Sequence, residues 1–347
     1  MKTLVWLVDK FVDNLESYPQ LTQAAKFLQQ NEVVAFPTET VYGLGGNAEN
    51  DEAVAKIFAA KGRPSDNPLI IHIAEISQLE AFVKNIPTNA SLLMGKFWPG
   101  PLTIVLEKKQ GKLSELATAG LATVAVRMPN HPIALALIKQ AGLPIAAPSA
   151  NKSGKPSPTL ARHVYQDLNG KIAGLVDGGA TGVGVESTVI DCTDAIPVIL
   201  RPGGITKEQI EAVIGEVAVD PALTNTAAAP KSPGMKYLHY APNAPMFLVD
   251  GSHEFLQALV NEKRAQGAKV GILTTEEAQN DYQADVVLAC GRRTKLETVA
   301  SALYETLREF NEADVEVIFS EIFPETGVGQ AIMNRLSKAA GNRVIEE

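Results

Sequence analysis

The stretch Pro37-Thr38-Glu39-Thr40-Val41-Tyr42-Gly43-Leu44-Gly45-Gly46-Asn47-Ala48 follows a short apolar run, Val33-Val34-Ala35-Phe36. It contains Gly43-x-Gly45-x-x-Ala48, close to the glycine fingerprint of a dinucleotide-binding βαβ unit. In such a unit the first glycine directly follows the strand, a helix opens on the turn, and an acid ends the next strand. Here Pro37, Thr38, Glu39 and Thr40 stand between the apolar run and Gly43, and the next helix signal comes only at Asn50 or Asp51. The place of the acid is taken by Lys61-Gly62-Arg63-Pro64-Ser65-Asp66-Asn67-Pro68. A classical dinucleotide loop is therefore disfavoured. A structural glycine turn and a polar ligand site both stay open, because backbone amides and threonine hydroxyls at a strand end suit a polar ligand.

Working outward, Leu21, Ala24, Ala25 and Leu28 recur at helical spacing. Asn50 or Asp51 can cap a helix through AVAKIFAAK, Ser77-x-x-Glu80 reads as a capping box, and Thr206-x-x-Gln209 as another. VVAF, LIIHI, LTIVLE, TVAVRM, PIAAP, KIAGLV, STVIDC and PVIL read as strands. Several follow one another without a helix between them, so the expected fold is α/β with a mixed, twisted sheet and packed helices. Residues 220–245 hold five prolines and no long periodicity, which reads as a linker. Its centre, SPGMKYLHYAP, is richer in Tyr, His and Lys than a plain spacer. Beyond it FLVDG, KVGILTT, DVVLAC and VEVIFS alternate with helices such as LETVASALYETLREF, which predicts a small parallel α/β domain. The expected division is 1–218, a linker 219–245, and 246–347.

Of 347 residues, 46 % are hydrophobic and 20 % charged, enough for a sizeable core. No run approaches the ~18 apolar residues of a membrane span, and the start, MKTLVWLVDKFVDN, is too quickly charged for a signal peptide. Cys192 and Cys290 are the only cysteines and lie far apart, which fits a reducing cytoplasm. The five histidines lack HExxH spacing. Residues 246–347 carry 10 Lys+Arg against 17 Asp+Glu, a net −7, whereas residues 1–245 carry 21 against 22. Polyanion binding is thus disfavoured in the last hundred residues, and the near-neutral first part can hold a local basic pocket.

Four loops in that first part carry the chemistry. Lys61-Gly62-Arg63-Pro64 is a proline-stiffened cationic turn that suits a polyphosphate, with Arg63 as a fork and Lys61 as a point charge. Lys61 could equally serve only the helix dipole, and Arg63 could be a solvated surface residue. No GxxxxGK[ST] occurs, so a nucleotide would be held without a Walker loop. APSANKSGKPSPT, 147–159, offers a second polar wall or a plain flexible loop. Ser149 lacks the GxSxG context of a hydrolase nucleophile. VESTVID, LRPGG and TVAVRMP set Ser187, Arg201 and Arg127 at strand ends or within apolar strands. A buried arginine needs an anion, whether a protein or a substrate carboxylate.

Taken in order, PTETVYGLG, KGRPSDNPLIIHI, WPGPLT, VAVRMP, APSAN with its SPT, GVEST and LRPG resemble the threonylcarbamoyl-AMP synthase (YrdC-like) family. The resemblance covers roughly 15–215, and SPGMKYLHYAP is similar to the linker of the family's long form, which adds a small Rossmann-like domain. It implies a concave twisted sheet and a nucleotidyltransferase that joins L-threonine, bicarbonate (or CO2) and ATP into threonylcarbamoyl-AMP and pyrophosphate. A separate transferase then moves the threonylcarbamoyl group to a tRNA adenosine. The resemblance also implies Mg2+ held mainly by the ATP phosphates. Lys61 and Arg63 match the family's catalytic, phosphate-binding cations. Asn67, Thr123, Ser149, Asn151, Ser157 and Arg201 match positions around ATP, and Tyr240 matches a linker residue that reaches the nucleotide. Thr40, His72, Arg127 and Ser187 match positions around threonine and its carbamate, with Ser149 shared between the sets. The linker is then the expected active-site lid. Two other classes stay open. One is the carbamoyl-AMP chemistry of hydrogenase maturation proteins, whose acylphosphatase and zinc-finger modules have no counterpart here. The other is a non-catalytic RNA-binding module, which the neutral first domain disfavours. The expected protein is a cytoplasmic monomer without direct membrane contact, and direct tRNA binding is disfavoured.

Overall fold

The computed structural model describes residues 2–12, 14–223 and 240–347. In it the apolar run and the glycine stretch are two adjacent strands rather than a strand and a helix. After Leu4–Leu7 (β1) come Val34–Phe36 (β2) and Gly43–Asn47 (β3), which pair antiparallel with Phe36 opposite Gly43. Gly45 is a packing glycine: a Cβ there would lie 2.7 Å from Phe36 Cε1 and 2.8 Å from Ile145 Cγ2. This answers the fingerprint question, because no helix opens on Gly43 and the glycine lets two side chains close over the backbone.

The sheet continues through Ile70–His72 (β4), Leu102–Glu107 (β5), Thr123–Arg127 (β6), Ile145–Ala146 (β7), Gly174–Asp177 (β8), Thr188–Asp191 (β9), Val198–Arg201 (β10) and Ala218–Val219 (β11). The spatial order is β1-β8-β2-β3-β7-β4-β6-β5-β9-β10-β11, with parallel and antiparallel neighbours mixed. Period-two alternation covers both faces. Val33 and Ala35 enter one core with Leu44, Ile57, Ile71 and Ile104; Val34 and Phe36 enter another with Leu21, Leu28, Ile133 and Leu137. The second core lies under the helices Pro19–Gln29 and Pro132–Ala141, which pack on each other. Each such fully buried Leu, Ile or Phe contributes about 1.5–3 kcal/mol.

The local signals mostly hold. Leu21, Ala24, Ala25 and Leu28 are the buried face of their helix. Asn50 accepts from Ala53 N and caps the helix Asp51–Lys61, which ends on Gly62 at φ +62°. Thr206 and Gln209 make their reciprocal box. The Ser77/Glu80 box does not form. The chain turns two residues earlier, and Glu75 and Gln78 make the box at a 3-10 turn.

Contacts divide the chain into two units. The first holds the described residues through Leu223, apart from Gly154–Pro156 and Val183–Val185. Those two pieces are grouped with residues 240–347 in the second. The second unit is a five-stranded, all-parallel sheet of Met246–Asp250 (β12), Val270–Thr274 (β13), Val286–Ala289 (β14), Val317–Glu321 (β15) and Val344–Glu346 (β16), ordered β14-β13-β15-β12-β16. The last strand, only three residues long, was not anticipated. Glu321, at the carboxyl end of β15, accepts from Thr274, Tyr282 and Arg293. Most of the expected linker lies outside the described residues. Cys192 and Cys290 are both free and buried, and burial pushes each thiol up to about 12. Among the described residues no helix is long and apolar enough to cross a membrane.

Candidate functional site

Strand register assembles most of the predicted residues. His72 ends β4 and sits opposite Arg127, which ends the parallel β6. β5 runs antiparallel to β6, and β9 parallel to β5, so the starts of β5 and β9 fall at the same sheet edge as Arg127. There Thr103 and Ser187 share a hydrogen bond of 2.8 Å between their hydroxyls. Arg201, at the end of β10, forks onto the Ser187 carbonyl from Nε (3.1 Å) and Nη2 (2.9 Å). The sequence reading put Ser187 with threonine and Arg201 with ATP; the structure brings the two into direct contact. Gly203 lets this happen, since a Cβ there would stand 2.3 Å from Thr188 N and 2.4 Å from Glu186 O.

The other sheet edge carries the cationic turn. β7 runs antiparallel to β4, so the chain leaves it towards the start of β4 and bridges Gly43 at Ser149. Lys61, the last residue of its helix, is 3 % exposed. Its Nζ donates to the carbonyl oxygens of Ser149 (2.5 Å) and Asn151 (2.7 Å). Lys61 thus braces the loop as well as placing a charge beside it. Asn67 is buried, and its Nδ2 has no hydrogen-bond partner. Arg63 and Thr123 are half-buried. The loop after β7 passes the 38–42 turn, with Ala150 N donating to Tyr42 O and Tyr42 N to Pro158 O. It ends with Ser157 Oγ donating to Glu186 at 2.6 Å. One segment therefore links the Lys61 group to the Ser187 group. Tyr240 belongs to the second unit, where it is buried at φ +65° with its ring 5.1 Å from that of Tyr304.

The turn after β2 supplies what the sequence reading passed over. Arg127 is 4 % exposed, and its Nη1 donates to Thr40 Oγ1 at 2.9 Å. Its Nη2 stands 2.7 Å from Glu39 Oε2, an ion pair by distance but off-axis for a hydrogen bond. Thr38 and Thr40 share a bond of 2.9 Å. Glu39 was the carboxylate within the opening stretch, between two threonines at a strand end; that position was the available signal for a partner to Arg127. His72 is buried beside Arg127, and burial reinforced by that cation pulls its pKa down to about 3. It is a neutral imidazole, with Nδ1 3.2 Å from the Ile70 carbonyl. His131, before the helix Pro132–Ala141, was also unforeseen. Burial pulls its pKa down to about 4, opposed by Glu39 and aided by Lys10.

No cluster of three or more His, Cys, Asp or Glu able to hold a metal occurs among the described residues. A crevice of about 420 Å³ lined by Glu32, Val33, Lys56, Ala59, Ala60 and Lys171 shares no residue with the predicted set, and Lys56 there is already paired with Glu32. The arrangement offers buried cations at two sheet edges with hydroxyls and amides between them. Such a site suits binding and charge stabilisation of an anionic substrate.

The Sua5/YciO/YrdC family model, described as "Telomere recombination", matches residues 26–203. A second, described as "Threonylcarbamoyl-AMP synthase, C-terminal domain", matches 205–341. The chain is 62 % identical over 345 residues to the threonylcarbamoyl-AMP synthase of Bacillus subtilis (strain 168), covering 99 % of this chain and 100 % of that one. It is 50 % identical to that of Pyrococcus abyssi (strain GE5 / Orsay), over 93 % and 94 %. The crystal structure of P. abyssi Sua5 complexed with L-threonine superposes with a TM-score of 0.92 at 48 % identity, covering 99 % of this chain and 100 % of that one.

Proposed function

The chain belongs to the Sua5/YciO/YrdC family, in its two-domain form, and we propose that it is an L-threonylcarbamoyladenylate synthase. It joins L-threonine, bicarbonate (or CO2) and ATP into threonylcarbamoyl-AMP and pyrophosphate for the threonylcarbamoyladenosine modification of tRNA. A separate transferase consumes the product. The observation that carries this reading is the likeness, over nearly the full length of both chains, to synthases from two distant organisms.

In this reading the threonine amine adds to CO2, and a carbamate oxygen attacks the α-phosphorus in line as pyrophosphate leaves. The attacking oxygen is already anionic, so this step asks for orientation and charge stabilisation rather than a strong base. Lys61 and Arg63 stabilise the phosphoryl and leaving-group charge. Asn67, Thr123, Asn151, Ser157 and Arg201 hold the nucleotide. Thr40, His72, Arg127 and Ser187 hold threonine and its carbamate, with Arg127 on an anionic group. Ser149 stands between the sets. Hydrogen bonds to the threonine hydroxyl select against analogues that lack it. In this reading Mg2+ is held mainly by the ATP phosphates. The domains that go with this reading are 1–218 for catalysis and 246–347 as the added domain. The test is pyrophosphate release with ATP, threonine and bicarbonate, each omitted in turn. The reading predicts release only with all three, and release indifferent to threonine contradicts it.

A further inference from the structure

Two side chains in the first unit keep buried polar atoms without a hydrogen-bond partner, and the function proposed above uses neither. Both carboxylate oxygens of Glu39 lack a hydrogen-bond partner. Both ring nitrogens of His131 do too, with that residue 5 % exposed. Buried polar atoms left this way are uncommon and costly, and each calls for a partner. The two are neighbours. Glu39 acts electrostatically on the His131 ring. Pro37 and Ile133, two residues from each, converge on Gly178, where a Cβ would meet Pro37 Cγ at 2.8 Å and Ile133 Cδ1 at 2.6 Å.

We propose that Glu39 and His131 receive the amino group of L-threonine. This rests on the reading that the chain binds threonine. An anion is a poor occupant because it would face the Glu39 carboxylate. One carboxylate and one imidazole are too few ligands for a metal. A group with several N–H donors and a positive charge gives donors to the Glu39 carboxylate and to the unprotonated nitrogen of His131. The Arg127–Glu39 pair adds orientation. Its charges stand 2.7 Å apart, and a zwitterion laid head to tail against them sets its carboxylate on Arg127 and its ammonium on Glu39. His131 contributes an uncharged acceptor. It precedes the first turn of the helix Pro132–Ala141, whose positive end disfavours an imidazolium, and Lys10 disfavours it further. The neutral ring does not repel the ammonium. It still accepts from the single N–H left once the nitrogen has been carbamoylated.

The experiment is calorimetric titration of the full-length protein with L-threonine and with (3R)-3-hydroxybutanoate, which keeps the carboxylate and hydroxyl and lacks the amine. Wild type is expected to prefer threonine by about tenfold or more, as hydrogen bonds to a charged group give. Glu39→Gln is expected to lower that preference about tenfold, and His131→Phe about three- to tenfold. His131→Gln, whose amide oxygen accepts, restores part of it. A preference unchanged in the Glu39 and His131 variants, with both ligands weakened equally, makes the two residues structural and overturns the assignment alone. Wild type that ignores threonine overturns the function itself. The near-isosteric Glu39→Gln decides the matter if His131→Phe does not fold.

Discussion

Arg127 and Glu39 form a buried ion pair, and a double-mutant cycle measures it. Arg127→Met strips the Glu39 carboxylate of the cation 2.7 Å away and leaves Thr40 Oγ1 and Gly100 O without their donor. The side chains are 4 % and 13 % exposed, so water screens them little. Breaking one side of such a buried pair costs about 3–5 kcal/mol, because the remaining charge is left uncompensated. Glu39→Met costs the same order for the same reason. Replacing both with Met removes both charges, and apolar substitution of a whole buried pair is often close to neutral. The double variant should therefore lie within about 2 kcal/mol of wild type, several kcal/mol short of the sum of the singles. The chain's two tryptophans, Trp6 and Trp98, both lie in the first unit. Urea unfolding followed by their fluorescence reports that unit alone. Additive singles, or an Arg127→Met cost below about 1 kcal/mol as for an exposed pair, would refute the reasoning.

Lys61→Met should cut pyrophosphate release by about 10²–10³-fold, the scale of a lost charge stabiliser. It should also cost about 1–3 kcal/mol in urea unfolding, because Lys61 braces the Ser149 and Asn151 carbonyls. Gly203→Ala should raise the KM for threonine and leave the second unit's melting unchanged, since the added methyl displaces the backbone that carries Ser187. Asn50→Ala should cost about 1 kcal/mol of first-unit stability through its lost cap and leave turnover as it is. His72 and His131 stay neutral when folded, with pKa values of about 3 and 4. Their contribution is complete above about pH 6.5, where the unfolded histidines are also neutral. It is lost as the pH falls towards the folded values, by about 1.4 kcal/mol per unit for each histidine, and urea titrations of His131→Phe should show about half that slope.

Much of this fold could be read from local chemistry. Asn50 and Thr206 announced their helices, and the spacing of Leu21, Ala24, Ala25 and Leu28 announced the buried face of a third. The distance from Phe36 to Gly43 was enough to reject a dinucleotide loop, and β2 pairing with β3 is the physical reason. What escaped was set by distant contacts. Nothing near Gly45 states that Phe36 and Ile145 will close over it. The Glu75/Gln78 box displaced Ser77/Glu80 through a choice of turn between two similar signals. Arg127 was seen to need an anion, but its partner lies 88 residues earlier in the chain, and only the sheet brings Glu39 to it. His131 drew no reading from the sequence, because its burial is set by the fold. Lys61 was read as a point charge for a polyphosphate or as serving only the helix dipole, and its bracing role follows only from where the loop after β7 passes.

The most direct test of the account is mass spectrometry of the product formed from 13C-bicarbonate, L-threonine and ATP. The account predicts a threonylcarbamoyl adenylate that carries the label in its carbamoyl carbon, released with one pyrophosphate per product. Pyrophosphate or AMP formed without a labelled adenylate, at equal rates with and without threonine, would contradict it.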